Sequence, residues 1–131
     1  MSSQEHLFIG NLIIQMKEFN MSMTINISKD FSSIPGARYP EEGDFSGQDF
    51  RTRILYPKLA EAIKKNTSLT VILDGTAGLG TSFLEESFGG LIRENKLKYD
   101  DIIKTLVIIS NEDPCYIDEI MDYLNDAKNQ G

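Results

Sequence analysis

The chain is predicted to fold as an α/β domain, a small mixed β-sheet flanked by helices, on three observations. Two short apolar runs rich in β-branched residues, Leu69 to Asp74 (LTVILD) and Thr105 to Ser110 (TLVIIS), read as strands covered on both faces. Between them Phe83, Leu84, Phe88, Leu91 and Ile92 form a helical stripe, and after the second run Ile117, Ile120, Met121 and Leu124 form another. Strand, helix, strand, helix is a βαβα unit, for which parallel pairing and a right-handed crossover are expected. At 131 residues and 40% hydrophobic composition there is material for one ordinary core, so a single domain is predicted.

Taken in order, the first nineteen residues suit a helix through Phe8, Leu12, Met16 and Phe19, while Gly10-Asn11 suits a turn between short strands; helix is the preferred reading. Met23, Ile25 and Ile27 alternate with Thr24, Asn26 and Ser28, the pattern of an edge or antiparallel strand buried on one face. Residues 31–46, FSSIPGARYPEEGDFS, form a long punctuated loop with Arg38 and Tyr39 at its middle, and loops of that length in compact domains are often functional. Gly47 to Lys65 presents Phe50, Ile54, Leu55, Leu59, Ala62 and Ile63 on one helical face, with a kink or division at Pro57. A helix from about Thr81 to Asn95 opens with Ser82 and Glu85 in capping-box spacing. The last helix, from about Pro114 to Lys128, starts behind Asp113 as N-cap with proline in its first turn.

Charge and composition exclude several function classes. Thirteen basic against twenty acidic residues give a net charge of -7, which opposes non-specific attraction to nucleic acid or anionic lipid. Neither a basic stripe nor alternating aromatics of a nucleic-acid surface is visible. Cys115 is the single cysteine and His6 the single histidine, so no intramolecular disulfide and no Cys/His zinc constellation can be assembled. No apolar stretch reaches the roughly 20 residues of a membrane span and no secretory signal pattern opens the sequence, so cytoplasmic residence is expected.

The stretch LDGTAGLGTSFLEESFGGL, Leu73 to Leu91, concentrates glycine between a strand end and a helix start. Such a corner offers backbone N–H groups near hydroxyls, an arrangement anions favour. The lysine that a triphosphate loop needs before its terminal Ser/Thr is missing, and Gly75, Gly78 and Gly80 are spaced G-x-x-G-x-G, the wrong order for a dinucleotide fingerprint. The geometric alternative is that the turn glycines supply positive φ, while Gly89 and Gly90 let their helix approach another backbone closely. Asp74, at the strand's carboxyl end, suits a turn-stabilising role better than catalysis. Glu85 and Glu86 suit the first turn of the helix. Arg38, Arg51 and Arg53 either gather around an anion or form surface ion pairs with neighbouring acids.

The segments ISKDFSSIPGARYPEEGDFSGQDFR and LTVILDGTAGLGTSFLEESFGGLIRE resemble the uncharacterised STAS-like domain family, closely from about Ile25 to Lys96 and loosely beyond. The resemblance implies the STAS fold of the anti-sigma factor antagonists over residues 21–131, with residues 1–20 as an N-terminal extension. In those antagonists a serine at the start of the helix after a central strand is phosphorylated by a partner kinase with a GHKL-type, histidine-kinase-like ATPase fold, which switches binding off. Ser82, and after it Thr81, stands in the corresponding place; where the antagonists carry an aspartate just before that serine, this chain has Gly80 and Thr81. The expectation is therefore a non-enzymatic regulatory module without cofactor or metal, docking a protein partner through Asp74, Gly75, Thr76, Gly78, Gly80 and Glu85, with Arg38 bordering. The alternative is an anion- or nucleotide-binding domain that uses the same turn.

Overall fold

The computed structural model describes residues 23–130. The N-terminal helix and the 1–20 extension expected above lie outside them. Three strands form the described sheet: β1 (Met23–Asn26), β2 (Leu69–Ile72) and β3 (Leu106–Ile109), in the order β1-β2-β3. Both pairings are parallel, with Ile25 opposite Val71 and Val71 opposite Ile108. The α/β architecture is as expected, but the described strands make an all-parallel sheet rather than a mixed one. The reason is that each connection carries helices long enough to return the chain to the same end of the sheet.

Among the described residues the α-helical segments are α1 (Gly47–Phe50), α2 (Tyr56–Lys65), α3 (Thr81–Leu84), α4 (Gly90–Arg93), α5 (Tyr99–Thr105) and α6 (Cys115–Gln130), beside a π-helical turn at Ile27–Phe31 and a 3-10 turn at Pro40–Glu42. Two π-helical turns, Arg51–Leu55 and Glu85–Gly89, join α1 to α2 and α3 to α4, so helical chain runs unbroken from Gly47 to Lys65 and from Thr81 to Arg93. The interruption expected at Pro57 takes the form of the first of these turns. A proline ring presses on the carbonyl four residues back, here Arg53, and the wider turn immediately before it gives that carbonyl room. Ser46 caps α1 by accepting the Asp49 N–H at 3.1 Å, and Asn66 ends α2 in the left-handed conformation that asparagine tolerates. Helix α5 was not expected; it runs directly into β3 with no intervening loop.

The core lies between the sheet and its helices. Ile25, Leu69 and Val71 point into it and meet Phe50, Leu55, Leu59, Phe83, Phe88, Leu91, Ile120 and Leu124, all fully buried. Phe50 and Phe83 stack at 5.7 Å between ring centroids, with Phe31 tilted against Phe50 at 5.3 Å. The opposite face is less covered than the sequence suggested. In β2 only alternate residues are fully buried, and Val107, in register with Thr70, is 46% exposed. The apolar character of β3 therefore reflects an edge position against α6, not burial on both faces. Among the described residues no helix is long and apolar enough to cross a membrane.

Candidate functional site

The carboxyl ends of β2 and β3 carry the loops that build the site, where ligand-facing residues of parallel sheets usually gather. Asp74 follows β2, and its two carboxylate oxygens accept the N–H groups of Asn111 at 3.1 Å and Glu112 at 2.7 Å. Glu112 returns the contact by accepting the Gly75 N–H at 2.8 Å. Asp74 thus ties the two strand-end loops together, the turn-stabilising role its sequence context favoured. Two further N–H groups of the turn are held from other directions: Ala77 donates to Ser33 O at 2.8 Å and Leu79 to Tyr116 Oη at 3.0 Å. The Thr76 hydroxyl donates to Leu73 O at 3.3 Å. Gly75 has φ +93°, and a Cβ there would stand 2.7 Å from Ser28 Oγ, so this glycine is required twice over.

The pinned turn delivers the chain to a helix start at which Thr81 and Ser82 are exposed. Gly80, not Ser82, is the N-cap, and no side chain caps this helix. The capping box expected of Ser82 and Glu85 does not form. Ser82 already lies inside the first turn, and Glu85 is taken by arginines. Gly78 and Gly80 are exposed with open space where a Cβ would stand.

Glu85 and Glu86 open the π-helical turn Glu85–Gly89 rather than serving a helix dipole, and they meet three guanidinium groups. Arg38 Nη1 bonds Glu85 Oε1 and lies 3.3 Å from Glu86 Oε1. Arg93 reaches Glu85 Oε2 at 2.6 Å and Glu86 Oε1 at 3.3 Å. Arg51, 4% exposed, donates to Glu86 Oε2 at 2.8 Å, to the Glu86 carbonyl at 3.0 Å and to Asn95 Oδ1 at 2.8 Å. Burial pushes the Glu85 carboxyl upward, but the hydrogen bonds from Arg93 and Arg38 outweigh it and hold the group below the ordinary glutamate range. The Glu85 hydrogen bond is also what raises Arg38 and Arg93 above the usual arginine value.

Of the three arginines weighed from sequence, Arg38 and Arg51 gather, but around glutamates; Arg53 instead lines a separate cavity with Phe31, Phe45 and Asp49. Arg93 and Glu86 complete the cluster and were not anticipated. Gly89 and Gly90 serve it too. A Cβ on Gly89 would stand 2.4 Å from Glu85 Oε2, and one on Gly90 2.4 Å from Arg51 Nε. They clear space for side chains, not for a neighbouring backbone as expected. The close backbone approach is at Gly47, whose Cβ would stand 2.7 Å from the Phe83 carbonyl.

Arg38 belongs to the long loop, which is shaped by three backbone bonds: Gly36 N–H to Phe45 O, Gly47 N–H to Ala37 O and Gln48 N–H to Arg38 O, at 2.8 to 3.0 Å. On this loop Ile34 is 62% exposed, while the half-exposed rings of Tyr39 and Phe45 pack beside the Arg38 guanidinium, at 6.0 Å, and edge-on to Phe31, at 5.7 Å. Through Ser33, whose carbonyl accepts the Ala77 N–H, the loop sits against the glycine-rich turn. A cavity of about 130 Å³ between the turn and the β3–α6 loop is lined by Asp74, Thr76, Gly78, Ser110, Glu112 and Tyr116. Among the described residues no group of three or more His, Cys, Asp or Glu side chains is arranged to hold a metal ion.

Fold and site together define a small parallel α/β domain that presents a pinned turn and the start of a helix as an outward surface. The chain belongs to the family described as STAS-like domain of unknown function (DUF4325), whose model matches residues 46–115. That span takes in Arg51, the glycine-rich turn, Ser82 and Arg93, and begins after Arg38. No curated protein and no solved structure matches the chain.

Proposed function

We propose that the chain is a non-enzymatic regulatory module of the anti-sigma factor antagonist type, which docks a protein partner through Gly75–Ser82 and the helix that follows. Ser82 is its switch, and a GHKL-type ATPase is the kinase, an assignment that places the module in the cytoplasm. The observation that carries this reading is that Ser82 is exposed in the first helical turn, directly after a glycine-rich turn held from three sides, so that a partner meets a fixed shape. In the switching step Ser82 Oγ attacks the γ-phosphorus of ATP on the partner. The new Oγ–P bond replaces the bridging P–O bond, ADP leaves, and the hydroxyl proton passes to a base of the kinase. The added charge of about -1.5 to -2 then repels an acidic docking face.

Affinity capture with phosphosite mapping tests this. A recovered ATPase, phosphate mapped to Ser82 and a weakened complex for Ser82→Asp are expected. Unchanged affinity for Ser82→Asp together with no phosphate at Ser82 would defeat the reading. The nucleotide-binding alternative is disfavoured because the N–H groups of Gly75, Ala77 and Leu79 are already bonded within the protein. Calorimetry showing nucleotide binding lost in Ser82→Ala and Arg38→Ala would restore it.

A further inference from the structure

Strand β3 ends the sheet, and among the described residues it pairs with β2 alone. In a parallel ladder alternate residues turn their backbone groups to the same neighbour. The Leu73 N–H bonds the Ile109 carbonyl at 2.8 Å, so Val107 and Ile109 serve β2 while the backbone groups of Leu106 and Ile108 turn outward. The Leu106 N–H is taken by the Ile102 carbonyl of α5. The edge therefore offers the N–H and C=O of Ile108 and the C=O of Leu106. Ser110 is the next residue of the same phase, and among the described residues its N–H has no backbone partner.

The side chains along this edge are apolar. The strand reads Leu-Val-Ile-Ile, with neither a charge nor a proline of the kind that keeps exposed edges from pairing. On one face Val107 is 46% exposed. On the other a cavity of about 150 Å³ is lined by Ile103, Leu106, Ile108, Ile117, Met121 and Leu124. A second copy of the chain matches both the backbone and the side chains. Antiparallel pairing about a two-fold axis at Ile108 lets each Ile108 N–H reach the other Ile108 carbonyl, and each Ser110 N–H the other Leu106 carbonyl, four bonds in all. The Leu106 N–H, which would extend the ladder, is the one α5 already holds. An axis at Val107 would need that N–H and would keep only two bonds. With the axis at Ile108, the two Ile108 side chains meet on the cavity side and Val107 faces Ile109 of the other copy. The same register leads Lys104 of each chain toward Glu112 of the other, cation toward acid, which eases the approach of two chains of net charge -7.

We infer that the outer edge of β3 is a self-association surface: two copies pair there antiparallel about Ile108, and each sheet continues into the other. The contact is isologous and closes at two chains, since each β3 has one free edge. One short strand and a cavity rim on each side bury less than the ~800 Å² per partner of a standard interface, so the dimer is weak, with Kd on the order of 10–100 µM. The inference does not depend on the reading of Ser82.

Sedimentation equilibrium of the full chain, at loadings from about 5 µM to 1 mM, should show the mass rising from one chain toward two across the Kd range above. A single-chain mass throughout overturns the proposal, and it is also the result expected if residues 1–20 or a foreign segment occupy this edge instead. The register is read by cysteine cross-linking in a Cys115→Ser background, with Ile108→Cys, Val107→Cys and Ile109→Cys made separately and oxidised near 1 mM. Residue 108 stands about 5.5 Å from its symmetry mate between Cα atoms, within disulfide reach. Residues 107 and 109 are each offset from their mates by two positions, roughly 7 Å along the strand and 5 Å across, which is out of reach. Cross-linking should therefore be strong at 108 and weak at 107 and 109; equal yields, or a maximum at 107 or 109, overturn the register. Val107→Lys changes an already exposed side chain and puts a charge on the edge, so it should keep the wild-type circular dichroism and sediment as a single chain at 1 mM. A Val107→Lys chain that dimerises as the wild type does overturns the proposal.

Discussion

Gly90→Ala sets two effects of opposite sign against each other. In a helix interior alanine is favoured over glycine by about 1 kcal/mol, so on propensity alone the change stabilises. The new methyl, however, would stand 2.4 Å from Arg51 Nε, 2.9 Å from its Cδ and 3.1 Å from its Cζ. Arg51 cannot swing into solvent, since it is 4% exposed and bonded to Glu86 and Asn95. Any retreat first breaks the 3.0 Å bond from Nε to the Glu86 carbonyl. Overpacking a well-filled site costs about 1–3 kcal/mol, and uncoupling a buried ion pair about 3–5 kcal/mol when it is complete. Partial loss of both, less the propensity gain, predicts a net destabilisation of about 2–4 kcal/mol. Urea unfolding, with the midpoint lowered and the slope unchanged, reads this directly. In an Arg51→Ala, Glu86→Gln background the same substitution should be neutral or stabilising by up to about 1 kcal/mol, because the long side chain that meets the methyl is gone. A stabilised Gly90→Ala single variant would falsify the argument that this glycine makes room for Arg51.

Three further outcomes follow from the same geometry. Gly89→Ala should cost far less than Gly90→Ala, within about 1 kcal/mol of neutral, because its methyl meets the flexible end of Glu85 rather than a locked guanidinium; equal losses in urea unfolding would contradict this. Ser82→Ala should leave stability within about 0.5 kcal/mol of wild type, since Ser82 does not cap its helix, and a loss of about 1 kcal/mol would reinstate the cap. Glu85 is held below the glutamate range in the folded chain, so the stability it contributes is present above the unfolded value of about 4.3 and is lost as pH falls through the folded value. Unfolding free energy measured from pH 6 downward should therefore fall less steeply in Glu85→Gln than in wild type, and parallel curves would count against the cluster.

The layered architecture was legible because its signals are local. Asp113-Pro114 marks the start of α6, β-branched runs mark β2 and β3, and the Phe83–Ile92 stripe marks the second helical stretch even though a π-helical turn interrupts it. One widened turn shifts the apolar face too little to erase the period. Helix α5 left no comparable mark: it has seven residues, of which Ile102 and Thr105 are buried, and no glycine or proline separates it from β3. The exposed hydroxyls and the tie at Asp74 were readable from a strand ending in a glycine-rich turn. The arginine cluster was not. Arg38 and Arg51 lie 35 to 48 residues from the carboxylates they bind, and no local spacing encodes that pairing. Ser82 with Glu85 misled in the other direction, since a capping pattern is only a pattern until something stronger takes the glutamate.

The missing side chain at Gly90 and the long one at Arg51 occupy the same volume, one by vacating it and the other by filling it. Neither residue type makes sense alone: an unfilled slot would leave a void beside Glu86, and a filled one would evict the cation that neutralises it. Lineages descending from a common ancestor should accordingly exchange these two positions jointly, and a chain bearing bulk at the later site should be found with something shorter and uncharged at the earlier.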